Sequence, residues 1–355
     1  MTPSASPSHD LRPRSWREIV APYSQADHRH AVGQLLSTGL PFLGLMAALV
    51  YFAYPSHGLV LPLAVPAAAL LVRLFMIQHD CGHGSFFKSR LANDLLGRAL
   101  GVLTLTPYAF WRKSHAVHHA TSGNLDRRGT GDITTLTVRE YMALPAWRRM
   151  LYRLYRHPLV LFGIGPVFQF IVRHRIPTSS PRRDAQTWVS ILGTNAGIAA
   201  VVVLAVLLVG ARSFVLGYLP VILLASSIGV WLFYVQHQFE HSYWEPEESW
   251  NFHTAALEGS SFYDLPGILH WLTGYIGFHH IHHLASKVPN YRLRECFQQN
   301  PEFWQAKRLT LLSSLKCPRL TLWDEERRLL VTFREALAKR CEQASAALMP
   351  RRAAT

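Results

Sequence analysis

A chain of 355 residues with 36 Lys+Arg against 22 Asp+Glu carries a formal balance of +14 with histidine neutral. Because 49% of its residues are apolar and only 16% are charged, intrinsic disorder is excluded and a substantial buried or lipid-facing portion is required. Cys81, Cys296, Cys317 and Cys341 show no paired spacing, which argues against a disulfide framework or a thiolate zinc site and fits a reducing compartment.

Taken in chain order, residues 1–35 are polar, contain Pro3, Pro7, Pro13 and Pro22, and are expected to be a cytoplasmic segment without a cleavable signal peptide. Two apolar runs follow, residues 36–54 and 58–77, separated by a Pro55-Ser56-His57 turn; Arg73 is the one charge in the second run. They predict a membrane hairpin. Residues 95–111 and 159–172 are apolar but short or broken by glycine and proline. Both are expected to be interfacial or re-entrant, since a crossing would carry the histidines discussed below to the opposite face. A Pro-, Ser- and Arg-rich linker covers 177–183, and the runs 188–209 and 214–235, joined by Gly210-Ala211-Arg212-Ser213, predict a second hairpin. Residues 323–340 alternate charged and apolar side chains at helical spacing and predict an amphipathic surface helix leading into a basic tail. The expected organisation is therefore an N-terminal segment (1–35), a membrane domain (36–322) and a helical C-terminal tail (323–355), with no internal repeat. The fold class is all-α integral membrane, with four transmembrane helices as two hairpins and a cytoplasmic helical cap.

Four buried helices of a soluble bundle would show a polar, water-facing stripe, and these runs lack one. The charges follow the membrane edges. Arg12, Arg14 and Arg17 precede the first pair of runs, and Arg112, Lys113, Arg127, Arg128, Arg148 and Arg149 lie between the pairs. Lys287, Arg292 and Arg294 follow the second pair, whereas the two hairpin tips share only Arg212. The positive-inside rule then places both termini and the central segment in the cytoplasm, with the hairpin tips facing outward. No nucleic-acid motif accompanies the basic residues, so nucleic acid is not an expected partner.

Nineteen histidines are the anomaly in the composition. Three clusters stand out: His79-Asp80-Cys81-Gly82-His83, His115-Ala116-Val117-His118-His119 and His279-His280-Ile281-His282-His283. Residues three or four apart project from one helix face, so His79 with His83, and His115 with His118 or His119, can converge on a point. His237 and His241 repeat the four-residue spacing at the end of the last apolar run. Leaving out His280, these are ten candidate metal ligands, more than one closed zinc site uses, and they suggest two ions with several nitrogens each. The zinc-protease pattern H-E-x-x-H is absent, because Asp80 stands where its glutamate would be. A transporter would place ionisable residues within the spans, whereas these clusters fall at span ends. A redox metal beside an apolar interior can instead activate dioxygen next to a hydrocarbon chain.

The set H-D-C-G-H, H-A-V-H-H and H-H-I-H-H among two apolar hairpins resembles the integral-membrane fatty acid desaturases, within a larger group that includes alkane hydroxylases and carotenoid oxygenases. The resemblance runs from about residue 36 to 293. The stretch from His79 to Phe87, with Trp111-Arg112-Lys113-Ser114-His115, is similar to bacterial desaturases of the omega-6, or delta-12, type. Where front-end desaturases commonly begin the third box with glutamine, this chain has His279, which favours the methyl-end class. The resemblance implies a di-iron centre held by His79, His83, His115, His118, His119, His279, His282 and His283. It favours His241 as a further ligand over His237, since relatives vary at the latter position, and leaves His280 unassigned. Asp80, Glu240 and Asp132 are candidates to orient imidazoles through their N–H groups.

What the resemblance implies chemically is a reduction of dioxygen to water with electrons from an outside donor and from a substrate methylene pair, leaving a double bond. A hydroxylase or ketolase acting on alkane, carotenoid or sphingolipid is the alternative within the same group. The acyl chain could arrive on a phospholipid, acyl carrier protein or coenzyme A. Phe110, Trp111, Trp231, Phe233, Tyr234 and Trp271 are candidates to line its channel or to anchor at the interface. No flavin or haem module is visible, and His157-Pro158 lacks the glycines of a fused cytochrome b5. An external ferredoxin or cytochrome b5-like donor is expected, steered by the basic face.

Overall fold

The computed structural model describes residues 15–52, 57–176 and 184–339. Arg12, Arg14, Pro55, Ser56, the 177–183 linker, Cys341 and the end of the basic tail lie outside the described residues. Among those described, four helices are long and apolar enough to cross a membrane: α1 (His28–Phe52), α2 (Val60–His83), α6 (Ala185–Val209) and α7 (Ala211–His237). Between them lie α3 (Arg90–Leu103), α4 (Tyr108–Thr121) and α5 (Ala146–Arg156); α8 (His279–Leu284) and α9 (Asn290–Gln299) follow. With 24 to 27 residues each, the long helices rise about 36–40 Å, enough for a hydrocarbon layer of about 30 Å plus one turn beyond it.

The chain is thus a helical membrane protein, and the long helices outrun the apolar runs that predict them. Helix α2 continues past residue 77 to His83 and α7 past 235 to His237, which lifts histidines onto the helix ends. The second hairpin turns on Gly210 alone rather than on four residues. Helix α2 is the central element, packed against α1, α3 and α7, while α6 leaves most of its side chains exposed, the pattern of a lipid-facing helix. Arg73 is accommodated inside α2 by facing inward. Its Nε donates to Thr38 Oγ1 at 3.0 Å and its guanidinium lies 4.1 Å from the Trp271 ring centroid, so the charge is not presented to lipid.

The segment 95–111 is a helical hairpin rather than a crossing. Helices α3 and α4 reverse between Leu103 and Tyr108, and the reversal is pinned where Thr104 Oγ1 donates to Gln78 Oε1 at 2.5 Å. Tyr108 closes its base, its hydroxyl donating to Cys81 O at 2.7 Å. Chain entering beside His83 therefore returns to the same side before His115. Residues 160–172 do not cross either: two π-helical stretches, Val160–Ile164 and Phe168–Val172, flank Gly165–Val167. Such widened turns recur at functional sites.

Two small sheets brace the part of the chain outside the long helices. Strand β2 (Phe262–Asp264) pairs in parallel with β3 (Arg308–Thr310), and β4 (Leu322–Asp324) lies between β1 (Leu136–Thr137), parallel, and β5 (Leu329–Val331), antiparallel. This corrects the reading of residues 323–340 as one amphipathic helix. Alternating apolar and charged residues also suit the two-residue period of a strand, and Trp323 and Leu330 are 3% and 1% exposed, so this stretch is core. Helix begins only at 333, and the expected domain boundary at 323 falls within β4.

Candidate metal centre

Helices α2, α4, α7 and α8 bring nine of the ten candidate histidines into two adjoining groups. The first comprises His79, His83, His115, His119 and His282; the second comprises His118, His237, His279 and His283. In each group the candidate ligand atoms all lie within 4.8 Å of one another. The division follows the way each helix is turned toward the two groups. His115 and His119, four apart, face the first group while His118 points to the second; His279 and His283, four apart, face the second while His282 points to the first. Two clusters of the sequence are therefore shared between both groups, which meet where the His119 and His283 rings stack at 4.2 Å.

His241 is the exception and corrects the expected set. Helix α7 ends at His237, Gln238 leaves helical geometry with φ −113° and ψ 77°, and the four-residue spacing no longer means one face. His241 is consequently exposed and outside both groups, whereas His237, the less favoured of the pair, is buried in the second. His280 is buried against Phe262, Phe297 and Phe303, also outside both groups.

The electrostatics match a cation. In the first group Nε2 of His115 lies 2.9 Å from His79 Nε2 and 3.1 Å from His119 Nε2, which is itself 3.1 Å from His282 Nε2. In the second, Nε2 of His237 lies 3.2 Å from His118 Nε2 and 2.9 Å from His279 Nε2. Outer partners set the tautomers: His79 Nδ1 faces Asp80 Oδ1 at 3.2 Å, His118 Nδ1 faces Asp132 Oδ1 at 2.5 Å, and His237 Nδ1 faces Gly259 O at 3.3 Å. Acceptors at Nδ1 hold the proton there and leave Nε2 with its lone pair directed inward. Burial pushes His115, His119, His279, His282 and His283 well below the ordinary imidazole value, so they stay neutral and keep their lone pairs. His83 Nε2 and His283 Nε2 are buried without a hydrogen-bond partner. Converging lone pairs and orphaned buried nitrogens are stabilised by a metal ion that accepts them, and an all-imidazole set suits zinc, copper, iron or nickel.

Of the three expected orienting carboxylates, Asp80 and Asp132 act on ligands and Glu240 does not; it is exposed and engages through its backbone carbonyl, which accepts from Leu330 N. Asp80 also accepts from Asn290 N at 2.6 Å, tying α2 to α9. Two glycines are dictated by this packing. A Cβ on Gly82 would lie 2.8 Å from the Trp111 ring, which stacks on His115 at 4.6 Å. Gly131 has φ +76°, and a Cβ there would press to 3.1 Å from His118.

A cavity of about 420 Å³ reaches both groups. His79, His115 and His279 lie in its wall with Phe110, Trp111 and Phe233, while Trp231, Tyr234 and Trp271, also considered as channel residues, do not. Along α7 it extends from Gln236 to Ile222, a rise of about 21 Å, and on the other side it is bounded by α2 and the π-helical segment. Its volume is that of a single-ligand pocket, ~300–1,000 Å³.

A narrow apolar cavity ending on paired imidazole groups is an arrangement for oxidising a hydrocarbon chain, and the relatives of the chain agree. A sequence model described as fatty acid desaturase matches residues 56–314. A fatty acid desaturase of Bacillus subtilis is 46% identical over 315 residues, 89% of each chain. An sn-1 acyl-lipid omega-3 desaturase (ferredoxin) of Synechocystis is 30% identical over 69% of this chain and 66% of its own. An sn-1 oleoyl-lipid 12-desaturase from the same organism is 25% identical over 86% and 87%. With the metal-ready histidines, the four apolar helices and the family match in agreement, this chain belongs to the fatty acid desaturase family and is an oxidoreductase.

Proposed function

We propose that each histidine group binds one iron ion and that the pair carries out oxygen-dependent desaturation of a long-chain acyl group of a membrane lipid. The observation that carries this reading is the cavity of about 420 Å³, whose wall holds His79 and His115 of one group and His279 of the other. Iron held by these histidines would supply the chemistry of dioxygen activation and of oxidising unactivated methylenes. The protein's part is placement and exclusion of water. Leu71, Phe75, Phe110 and Phe233 make the walls apolar, so an acyl chain threads past the imidazoles without ordered solvent around it. Trp111 belongs to that wall and stacks on His115, coupling the position of the chain to the orientation of a ligand. Gln236 Nε2 donates to Ile276 O at 3.1 Å, linking the end of α7 to the segment before His279.

For the position of the double bond, the reading is methyl-end, of the delta-12 or omega-6 type. It rests on the stretch from His79 to Phe87 with Trp111 to His115, and for the methyl-end class on the third box; relatives named 12-desaturase and omega-6 fatty acid desaturase support it, beside others named omega-3 desaturase. The donor in this reading is a ferredoxin, in keeping with two relatives whose names include it and with a net charge of +14. The metal groups and both termini face the cytoplasm of the bacterial inner membrane by the positive-inside rule. Helix α5 supports that seating: Trp147, Met150, Leu151 and Leu154 form an exposed apolar stripe beside Arg148, Arg149 and Arg153, as on an interfacial helix over anionic lipid.

The test is expression with a ferredoxin system in a host lacking polyunsaturated lipids, followed by fatty acid analysis with double-bond location. A new diene at the twelfth carbon is expected. A double bond at another carbon refutes the regiochemistry, and a hydroxylated product refutes the desaturation outcome.

A further inference from the structure

Arg156 ends α5 with a guanidinium only 2% exposed and, among the described residues, without a carboxylate partner. Its charge is balanced by neutral acceptors on three separate segments. Nη1 donates to Thr134 O at 3.1 Å and to Thr135 Oγ1 at 3.3 Å. Nη2 donates to Tyr234 OH at 2.8 Å, Gln238 Oε1 at 3.1 Å and Leu320 O at 2.9 Å. Thr135 Oγ1 and Gln238 Oε1 lie 3.1 Å apart, closing the ring of acceptors. Nε finds no hydrogen-bond partner, so the buried cation rests entirely on these Nη bonds, and losing them would be costly.

What the acceptors carry gives the arginine its role. Thr134 and Thr135 lie two and three residues after Asp132, which fixes the tautomer and orientation of His118. Gln238 directly follows His237, and Tyr234 lies one turn before it. Two of the three tethered segments thus serve the second histidine group, the third is anchored at Leu320, and none of the five bonds reaches a segment bearing His79, His83, His115, His119 or His282. Lysine's three donors radiate from a single nitrogen and cannot reproduce the two-nitrogen fork that reaches these five acceptors.

We infer that Arg156 is a positioning residue for the second metal group, setting the spacing between His118 and His237 without touching either. The inference rests on the reading that each group binds one ion. Removing an outer partner of this kind lowers metal affinity by roughly 10–100-fold. The expected effect is confined to one ion of the pair.

The experiment is an anaerobic competition of the purified, iron-loaded full chain against a ferrous chelator, with iron counted per chain and Mössbauer spectra of ⁵⁷Fe protein recorded at each step. For Arg156→Gln, one iron leaves at a chelator concentration roughly 10–100-fold lower than in the parent, while the other leaves at the parental concentration. The unchanged ion serves as the internal control for folding. Arg156→Lys behaves like Arg156→Gln, and Tyr234→Phe, which removes one bond and leaves the charge, gives the same selective loss in weaker form. Loss of both ions in parallel, or a parental profile in Arg156→Gln, overturns the inference. If Arg156→Gln does not fold, a Tyr234→Phe profile identical to the parent overturns it as well. A parent chain that never holds two irons refutes the two-ion reading instead, so the failures are distinguishable.

Discussion

Replacing His237 or His241 with alanine separates two residues that share a four-residue repeat. His237 Nε2 lies 2.9 Å from His279 Nε2 and 3.2 Å from His118 Nε2, so His237→Ala takes one nitrogen from a set of four and also removes the bond from Nδ1 to Gly259 O. Loss of a mere outer partner costs about 10–100-fold in metal affinity, or about 1.4–2.7 kcal/mol. Loss of the ligand itself, with the outer bond, is expected to reach at least about 100-fold for the second ion and to abolish desaturation. His241 is exposed and outside both groups, so His241→Ala stays within about 0.5 kcal/mol in stability and retains full metal content. The assay is iron per chain after equilibrium dialysis against graded chelator, paired with fatty acid analysis of the expressing cells. Retention of two irons by His237→Ala, or depletion of iron in His241→Ala, refutes the assignment of the second group.

Two further outcomes follow from the same geometry. Gly229 lies in the cavity wall midway between Ile222 and Gln236, and a Cβ there meets nothing within 4 Å. Gly229→Leu gains up to about 1 kcal/mol of helix propensity while filling the cavity about 10 Å from either end. It should give a stable protein whose products shift to shorter acyl chains, and an unaltered chain-length profile in lipid analysis would show that the acyl chain runs elsewhere. The second concerns acid. His115, His119, His279, His282 and His283 are held below the ordinary value of about 6.5 by burial. Below about pH 6.5 the unfolded chain therefore binds protons that the fold does not. Each such residue then removes about 1.4 kcal/mol of stability per pH unit until its folded value is reached. The melting temperature of metal-stripped protein should fall steeply from pH 6.5 to 5, and a flat profile would contradict the burial of these rings.

Much of the membrane architecture is legible in the linear chain because it depends on local quantities. An apolar run of about 20 residues is long enough to span whatever packs beside it, so α1, α2, α6 and α7 are foreseeable from composition alone. The re-entrant reading of residues 95–111 was accessible by a different route: three histidine clusters can share one chemistry only if the chain returns between them, and α3 and α4 do turn back before His115. Strand and helix periods overlap over a few residues, which is why 323–340 reads as helix although Trp323 and Leu330 belong to a buried sheet. The partner that decides the matter, β1, lies nearly 200 residues earlier.

The sequence by itself determined which residue types could meet, since imidazoles spaced three and four apart on one helix project from neighbouring parts of its surface wherever that helix lies. Only the tertiary structure decided how they divide. That His118 parts company with His115 and His119, that His282 parts from His279 and His283, and that His237 rather than His241 completes the second group, all depend on where α7 stops and how α4 and α8 are rotated against it. Those are properties of long-range packing, in which Asp132 and Gly259 orient rings from other elements, and no local pattern encodes them.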